Sequence, residues 1–337
     1  MPPELRWIRG AGRRPRYVGF GRAEQLFRGI SDLSPVRGAV ERLVLAARRG
    51  AGAPVDDERI LAAWGRLHEA MPDASAAFLL YTGYYKDTIL SGVIAGGELR
   101  FVKVFAAPDG NVDERSRLER LRSVVPDAVL LPELTSPAPG IAAYPLLHRE
   151  SRRPTQAELE DVALTIGLTA SRSDPGFHPD SQNAWDVYVA EAADLVTRTG
   201  LASLEHTRLP AQAPGATIAH GDFTPWNAFR TTGGRLALVD YERVGLRSPF
   251  TDSWHLATQA GALRSRARVP TELIARVSHK AGADPKEVRT WYDAYLLQDL
   301  HQDATDWVVH GRRHPQLRRL IRAKAVLLGD GARRSDR

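Results

Sequence analysis

Three side chains that could hold a metal ion lie within a short stretch of the chain, and two of them could also accept a proton. Asn227 comes five residues after Asp222, and Asp240 ends the apolar run LALVD. Carboxylate and amide oxygens are the ligands that Mg²⁺ prefers, and a carboxylate can also accept a proton from a hydroxyl group. Asp and Asn also favour turns, through bonds to their own backbone, so a purely structural role is the alternative.

The segments around these residues favour the chemical interpretation. Two short apolar strands flank the turn 231–234, and the polar residues cluster at the strand ends, which predicts a strand, a loop, a hairpin and then Asp240. The order His220, Asp222, Asn227 and Asp240 resembles the catalytic loop of the aminoglycoside phosphotransferase and choline kinase family. That family is similar to the protein kinases with their H-R-D-x-x-x-x-N and D-F-G motifs. The resemblance covers roughly residues 76 to 328.

The resemblance implies transfer of the γ-phosphoryl group of ATP to a hydroxyl group. This chemistry needs neutralised phosphate oxygens and a hydroxyl held in line. Asn227 and Asp240 are therefore the expected Mg²⁺ ligands, and Asp222 would orient the hydroxyl and take its proton. His220 is expected to brace the loop by hydrogen bonding. ATP and Mg²⁺ are the implied cofactors.

A lysine within an apolar strand is the candidate phosphate contact. Lys103 lies in RFVKVF, where a charge is costly unless it is paired, and it matches the strand lysine that contacts ATP in kinases. Glu114 and Glu119 are the candidate partners on the following helix. Glu114 is favoured because it shares one helix stripe with Leu118 and Leu121. The alternative is a lysine on the solvated face of an edge strand.

Other nucleotide contacts follow from the resemblance with less support from the residues. The glycine loop of protein kinases is absent, and TGYYK stands at the corresponding turn. Gly83 is predicted to be a turn residue first and a phosphate contact second. The adenine is expected near the connector Tyr144–His148, with Tyr144 and Leu147 as contacts.

The periodicity of the chain predicts an α+β protein. Residues 76–105 alternate like an antiparallel meander, and a helix is predicted near Val112–Val124. The runs VLLPEL and IAAYPLLH are expected to complete a sheet of about five strands. From Thr155 the pattern is mainly helical, opened by a capping box with Glu158. The expected fold is bilobal and protein-kinase-like, with a small N-lobe of antiparallel sheet plus one helix and a larger, mainly helical C-lobe.

The same pattern divides the chain into three ranges. Residues 1–72 are predicted to form an N-terminal accessory extension, with a helix in which Ile60, Trp64 and Leu67 recur at helical spacing. Residues 73–148 are the expected nucleotide-binding N-lobe. Residues 149–337 are the expected C-lobe, which carries the catalytic loop and binds the substrate.

Composition excludes several classes of protein. The chain of 337 residues has no cysteine, which excludes disulfides and thiolate sites. Its net charge of +6 is spread along the chain, so no nucleic-acid partner is expected. No apolar run is long enough for a membrane span and no signal peptide is visible, so a cytoplasmic location is expected. The sequence gives no indication of oligomeric state.

The acceptor is expected to be a small molecule with a hydroxyl group. A basic chain is a poor host for a polycationic compound, which favours a neutral or anionic sugar, antibiotic or nucleoside-like metabolite. Asp299, Asp303 and Asp306 share one helix face that could instead receive a cationic substrate, or that could simply be solvated.

Two alternatives to a small-molecule kinase remain open. A non-catalytic kinase-like protein would bind a nucleotide or a partner without turnover. A protein Ser/Thr kinase is disfavoured, because the glycine loop and the A-P-E motif are missing.

Overall fold

The computed structural model describes residues 6–8, 17–20, 57–80, 88–150, 152–173, 181–205, 207, 209–264, 266–309 and 315–334. The chain separates into two compact units. The sheet unit comprises Met1–Ser116, Leu131–Ser151 and Thr231–Gly234. The helical unit comprises Arg117–Leu130, Arg152–Arg230 and Arg235–Arg337.

Strands dominate the first half of the described chain and helices the second half. The strands are β1 (Arg6–Ile8), β2 (Tyr17–Phe20), β3 (Ala74–Leu80), β4 (Thr88–Ala95), β5 (Glu98–Phe105), β6 (Val129–Leu130), β7 (Thr135–Ala138), β8 (Ile141–Pro145), β9 (Thr217–Ala219), β10 (Ala228–Arg230), β11 (Leu236–Leu238) and β12 (Gly245–Arg247). The helices are α1 (Glu58–Ala70), α2 (Gly110–Arg122), α3 (Gln156–Ser173), α4 (Ser181–Arg198), α5 (Thr251–Leu263), α6 (Thr271–Ala281), α7 (Pro285–Val309) and α8 (Pro315–Arg334), and Tyr241–Arg243 form a 3₁₀ turn.

The sheet unit is built on an antiparallel sheet with the strand order β1-β2-β3-β4-β5-β8-β7. The predicted meander is confirmed, since β3, β4 and β5 pair in sequence. The centre of β5 lies between two neighbours, with Lys103 opposite Leu90 on one side and opposite Ala142 on the other. Lys103 is therefore on an inner strand, and the edge-strand alternative is wrong.

The predicted five-stranded sheet is wrong in two respects. The described sheet has seven strands, because β1 and β2 extend it beyond β3. The run VLLPEL does not join it: β6 pairs in parallel with β11 of the helical unit, with Val129 opposite Leu236. An apolar strand of two residues carries no signal for its partner, so this pairing could not be predicted from periodicity.

Helix α1 belongs to the sheet unit. Asp57 caps its first turn by accepting hydrogen bonds from the backbone N–H groups of Arg59 and Ile60. Its buried face, which includes Trp64 and Leu67, forms one hydrophobic core with residues of β4, β5 and β8. The part of the range 1–72 that forms this helix thus shares the core of the sheet, while the role predicted for the range stays a prediction.

The helical unit has its own hydrophobic core, formed mainly by α4, α5, α6, α7 and α8 and including the fully buried side chains of Trp254, Tyr292 and Tyr295. The capping box predicted before α3 is confirmed. Glu158 accepts from the backbone N–H of Thr155 at 2.8 Å, and its own N–H donates to Oγ1 of Thr155 at 3.2 Å. These two reciprocal bonds satisfy backbone donors that the helix leaves unpaired.

The fold class is α+β, as predicted: one unit carries an antiparallel sheet with α1 and the first turns of α2, and the larger unit is mainly helical. Within the part of the chain that the structure describes, no helix combines the length and the apolar character needed to cross a membrane.

Candidate active site

The loop between β9 and β10 begins with a tight backbone turn that two side-chain oxygens hold. Gly221 has φ of +79°, and a Cβ atom there would collide with the carbonyl oxygen of Arg243, so only glycine fits. Asp252 at the start of α5 accepts from the N–H groups of His220 and Gly221, both at 2.9 Å. The ring of His220 lies 3.0 Å from the carbonyl oxygen of Val239. His220 thus makes the bracing hydrogen bond that the sequence predicts.

Asp222 and Asn227 are linked directly. The amide nitrogen of Asn227 donates to the backbone oxygen of Asp222 and to its carboxylate Oδ2, both at 3.0 Å. Because the amide nitrogen is engaged in these two bonds, the amide oxygen points away from Asp222. Asn227 is 7% exposed, so its oxygen is held in a defined direction.

The second carboxylate oxygen of Asp222 contacts a histidine that sequence reasoning missed. Nε2 of His255 on α5 lies 3.1 Å from Oδ1 of Asp222. Burial by itself would raise the pKa of Asp222, but the hydrogen bond and the charge of His255 outweigh burial and hold that pKa below its usual value. Asp222 is therefore an ionised carboxylate with both oxygens oriented by neighbours.

Asp240 follows β11 in a left-handed conformation, with φ of 70° and ψ of 73°. The backbone N–H of Val239 donates to the carbonyl oxygen of Asn227 at 3.0 Å, which fixes the residue before Asp240 beside Asn227. A left-handed non-glycine residue is costly and is typical of functional sites.

The two predicted metal ligands are of the chemical type that suits a magnesium ion. Asn227 presents an amide oxygen, and Asp240 supplies a half-buried carboxylate. Asp240 directly follows Val239, whose backbone N–H donates to the carbonyl oxygen of Asn227. Within the described ranges, no group of three or more His, Asp or Glu residues is arranged to hold a metal ion. Mg²⁺ is commonly bound by one or two carboxylates together with water and phosphate oxygens, and these two residues match that pattern.

The sheet unit contains the predicted lysine and its partner. Nζ of Lys103 lies 2.6 Å from Oε1 of Glu114, and both side chains are at most 3% exposed. Glu119 is exposed, so the structure settles the choice in favour of Glu114. The hydroxyl group of Tyr144 donates to the same Oε1 at 2.7 Å. The pair is thus buried and held from a second strand.

The remaining predicted contacts lie in or beside one cavity of the sheet unit, except for Gly83, which lies outside the described residues. Tyr144 is buried at the end of β8 and lines a cavity of about 520 Å³ together with Leu146 and His148 of the connector. Leu147 is half-buried in the same connector. The assignment of Tyr144 and Leu147 to the adenine stays a prediction.

The acidic face predicted on α7 is neither solvated nor open to a substrate. Asp299 and Asp303 are 5% and 1% exposed, and Nζ of the fully buried Lys324 lies 2.5 and 2.6 Å from their carboxylates. Arg243 lies 3.5 Å from Asp299 and 3.2 Å from Asp306. Buried charges of this kind need partners, and the chain supplies them internally. Both expectations for this face are therefore wrong.

A strand lysine paired with a helix glutamate, together with a D-x-x-x-x-N loop followed by a second aspartate, defines the class of kinase-like phosphotransferases. The chain belongs to the phosphotransferase enzyme family, whose model matches residues 118–308, more than half of the chain. No curated protein sequence matches the chain.

Several solved structures are similar to this chain. One is a macrolide 2'-phosphotransferase from Brachybacterium faecium, with 13% identity over 72% of this chain and 89% of that chain and a TM-score of 0.43. Another is a thermostable mutant of aminoglycoside phosphotransferase APH(4)-Ia in complex with ADP and hygromycin B, with 14% identity over 79% and 97% and a TM-score of 0.47. A third is an ethanolamine kinase from Plasmodium vivax, with 9% identity over 72% and 78% and a TM-score of 0.45.

Proposed function

We propose that the protein transfers the γ-phosphoryl group of ATP to a hydroxyl group of a small molecule. The observation that carries the proposal is the linked pair of Asp222 and Asn227, which lies within the residues matched by the family model. Phosphoryl transfer asks the protein for positioning and charge more than for covalent chemistry. An ionised aspartate whose two oxygens are both oriented suits that task.

Asp222 is the proposed catalytic residue. Its carboxylate accepts a hydrogen bond from the acceptor hydroxyl and takes the proton as the new oxygen–phosphorus bond forms. The bond between the γ-phosphorus and the bridging oxygen breaks at the same time, and its electron pair leaves with ADP. The low pKa of Asp222 keeps the carboxylate ionised, and therefore able to accept, at neutral pH.

Asn227 and Asp240 are the proposed ligands of Mg²⁺, through the amide oxygen and the carboxylate. The ion would supply positive charge to the phosphate oxygens. Val239, bonded to Asn227, keeps the two residues beside each other without requiring the metal.

Lys103 is the proposed contact of the ATP phosphates, with Glu114 holding its ammonium group. Glu114 is in turn held by Tyr144, so the lysine is braced from the helix and from β8. Tyr144 and Leu147 are proposed to lie at the adenine, and Gly83 to lie near the phosphates. These assignments extend the resemblance of the sequence to kinases.

The proposed acceptor is a neutral or anionic hydroxyl compound, such as a sugar, an antibiotic or a nucleoside-like metabolite. Asp299 and Asp303 already pair with Lys324 inside the helical unit, so they offer no free anionic face to a cationic substrate. The net charge of +6 acts in the same direction.

Thermal unfolding with and without Mg²⁺-ATP tests the nucleotide site, because a ligand that binds only the folded state raises its stability. We expect a magnesium-dependent rise in Tm that is lost in Asp240→Ala and retained in Asp194→Ala, a change at an exposed aspartate of α4. A shift that persists in Asp240→Ala would contradict the metal assignment. A shift without phosphate transfer to any hydroxyl compound would instead support a non-catalytic nucleotide-binding protein.

A further inference from the structure

His255 lies between two carboxylates in the interior of the helical unit. Its side chain is fully buried on α5. Nε2 lies 3.1 Å from Oδ1 of Asp222, and Nδ1 lies 3.4 Å from Oδ2 of Asp299. The hydroxyl group of Tyr295 lies 3.4 Å from Nδ1 and 3.2 Å from Oδ2 of Asp299. Every described polar neighbour of the ring is thus a carboxylate or a hydroxyl group.

This arrangement favours one protonation state of the ring. A neutral imidazole has one nitrogen with a lone pair, and a lone pair that faces a carboxylate is repelled by it. Tyr295 has one hydroxyl proton, and the shorter of its two contacts is with Asp299 rather than with His255. The contacts therefore favour a hydrogen on each ring nitrogen, which is the imidazolium form of His255.

The charged groups around the ring support the same state. Asp299, which faces His255 from α7, also pairs with Lys324 of α8 and with Arg243 of the 3₁₀ turn, and Lys324 bonds Asp303 as well. Burial would lower the pKa of His255, but the charge of Asp299 and the hydrogen bonds to Asp222 and Asp299 raise it to about 9. The cations Lys324 and Arg243 keep Asp299 ionised, so it stays an acceptor for the ring.

We infer that His255 is a positioning residue for Asp222: its imidazolium and the amide of Asn227 each hold one carboxylate oxygen, which fixes the plane in which Asp222 meets the acceptor hydroxyl. This inference rests on the proposed function, in which Asp222 is the group that receives the hydroxyl proton. Asp222 cannot rotate without losing at least one of the two bonds. Lys324 supports the same contact indirectly, because it neutralises Asp299 on the far side of the ring.

An imidazolium also alters what Asp222 does in the reaction. A cation at 3.1 Å makes the carboxylate a weaker base. In a loose phosphoryl-transfer transition state the attacking hydroxyl keeps much of its proton until late, so orientation matters more than basicity. The contact with His255 therefore lowers the basicity of Asp222 at little expense to the reaction rate, and it sets the direction of the acceptor hydroxyl group.

Nitrogen NMR of histidine-labelled protein tests the charge state directly and needs no substrate. The His255 signals are assigned as those missing from His255→Gln. At pH 7.5 we expect both ring nitrogens to be protonated, with a pKa that decreases in Asp222→Asn because one of the two carboxylate charges is removed. A ring with a single protonated nitrogen at pH 7.5, or a titration unchanged in Asp222→Asn, would overturn the inference.

Steady-state kinetics test the positioning role. The assay measures ADP formation from Mg²⁺-ATP with the best acceptor of a hydroxyl panel, or with water if none is used. For His255→Leu we expect kcat to fall roughly 10- to 100-fold with little change in KM for ATP, as for a group held in the wrong orientation. His255→Gln retains a neutral donor and should recover part of the rate. If His255→Leu does not fold, the test uses His255→Gln only. Its kcat should be lower than that of the wild type, and its KM for ATP should be unchanged.

A double-variant comparison separates positioning from general damage. In an Asp222→Asn background, His255→Gln should cause almost no further loss of kcat, because the residue it positions is already changed. An equal loss in both backgrounds would contradict the role. Wild-type protein without any ADP formation would contradict the proposed function, whereas the NMR result would still show whether an imidazolium holds Asp222.

Discussion

Tyr144 donates its hydroxyl hydrogen to Oε1 of Glu114 at 2.7 Å, and Glu114 is completely buried. The same oxygen receives the ammonium group of Lys103 at 2.6 Å. Tyr144, near the end of β8, therefore helps to set the position of Lys103 on β5. A contact expected at the adenine is thus also part of the support for the proposed phosphate contact.

Tyr144→Phe should weaken this support without breaking the ion pair. Losing one hydrogen bond to a buried carboxylate should lower the free energy of unfolding by about 1–3 kcal/mol, and the affinity for ATP should fall because Lys103 is held less firmly. Tyr292→Phe is the matched control, since its hydroxyl contacts Thr258 in the helical unit. Calorimetric titration with Mg²⁺-ATP should show weaker binding in Tyr144→Phe only. Equal binding in the two variants would show that Tyr144 does not act on the nucleotide site.

Two variants of the Lys103 and Glu114 pair can distinguish its effect on stability from its effect on ATP binding. Lys103→Met leaves a buried charge without its cation and should destabilise the fold by about 3–5 kcal/mol. In the double variant with Glu114→Gln the buried charge is removed, and the amide oxygen of the glutamine can still accept the hydrogen bond from Tyr144. Much of the lost stability should therefore return. Urea unfolding measures this recovery. ATP binding should stay weak in both variants, and a double variant that binds ATP like the wild type would refute the phosphate role of Lys103.

Asp252→Asn should disrupt the backbone turn before Asp222. Both carboxylate oxygens of Asp252 accept hydrogen bonds from backbone N–H groups. In Asp252→Asn the amide NH₂ group would face one of these N–H donors. We expect a loss of about 2–3 kcal/mol in the free energy of unfolding and a decrease in kcat from misplacement of the loop. Asp284→Asn is the control, because Asp284 caps α7 at the surface and Asn is an equally good cap. Similar losses in both variants would argue against a special role of Asp252.

The raised pKa of His255 predicts a specific pH dependence of stability. The unfolded residue titrates near 6.5 and the folded residue near 9. Its contribution to stability is complete below pH 6.5, decreases as the pH rises from 6.5 to 9 and is absent above 9. The decrease should reach about 3 kcal/mol at most. Denaturant unfolding of wild type and His255→Gln should show a fall across this window in the wild type and a flatter profile in the variant. Parallel profiles would exclude an imidazolium at this site.

The pairing of Lys103 and the position of the hairpin could be predicted because each depends on residues that are close together in sequence. A lysine in the apolar strand β5 needs a buried partner, and the helix stripe of Leu118 and Leu121 selected Glu114 over Glu119. The loop from His220 to Asp240 was placed between strand and hairpin by alternation and turn residues, and the hairpin is present, with Ala228 opposite Leu238. Local spacing was enough in both cases.

The charged cluster around Asp222 was missed because its members are distant in sequence. The partner of Asp222 is His255, which is 33 residues away on α5. A row of aspartates at helical spacing has the same pattern whether it faces water or a buried cation, so Asp299 and Asp303 could not be assigned from α7 alone. The usable signal was on α8, where Lys324 falls on the stripe of the buried residues Ile321 and Leu328.

The most direct test of the central claim is transfer of labelled γ-phosphate from ATP to a panel of neutral and anionic hydroxyl compounds, with Asp222→Asn measured beside the wild type. We expect Mg²⁺-dependent formation of a phosphorylated product by the wild type, and a rate at least about a hundredfold lower in Asp222→Asn. Transfer at an undiminished rate by Asp222→Asn, or no transfer to any compound by a wild type that binds Mg²⁺-ATP, would contradict the account.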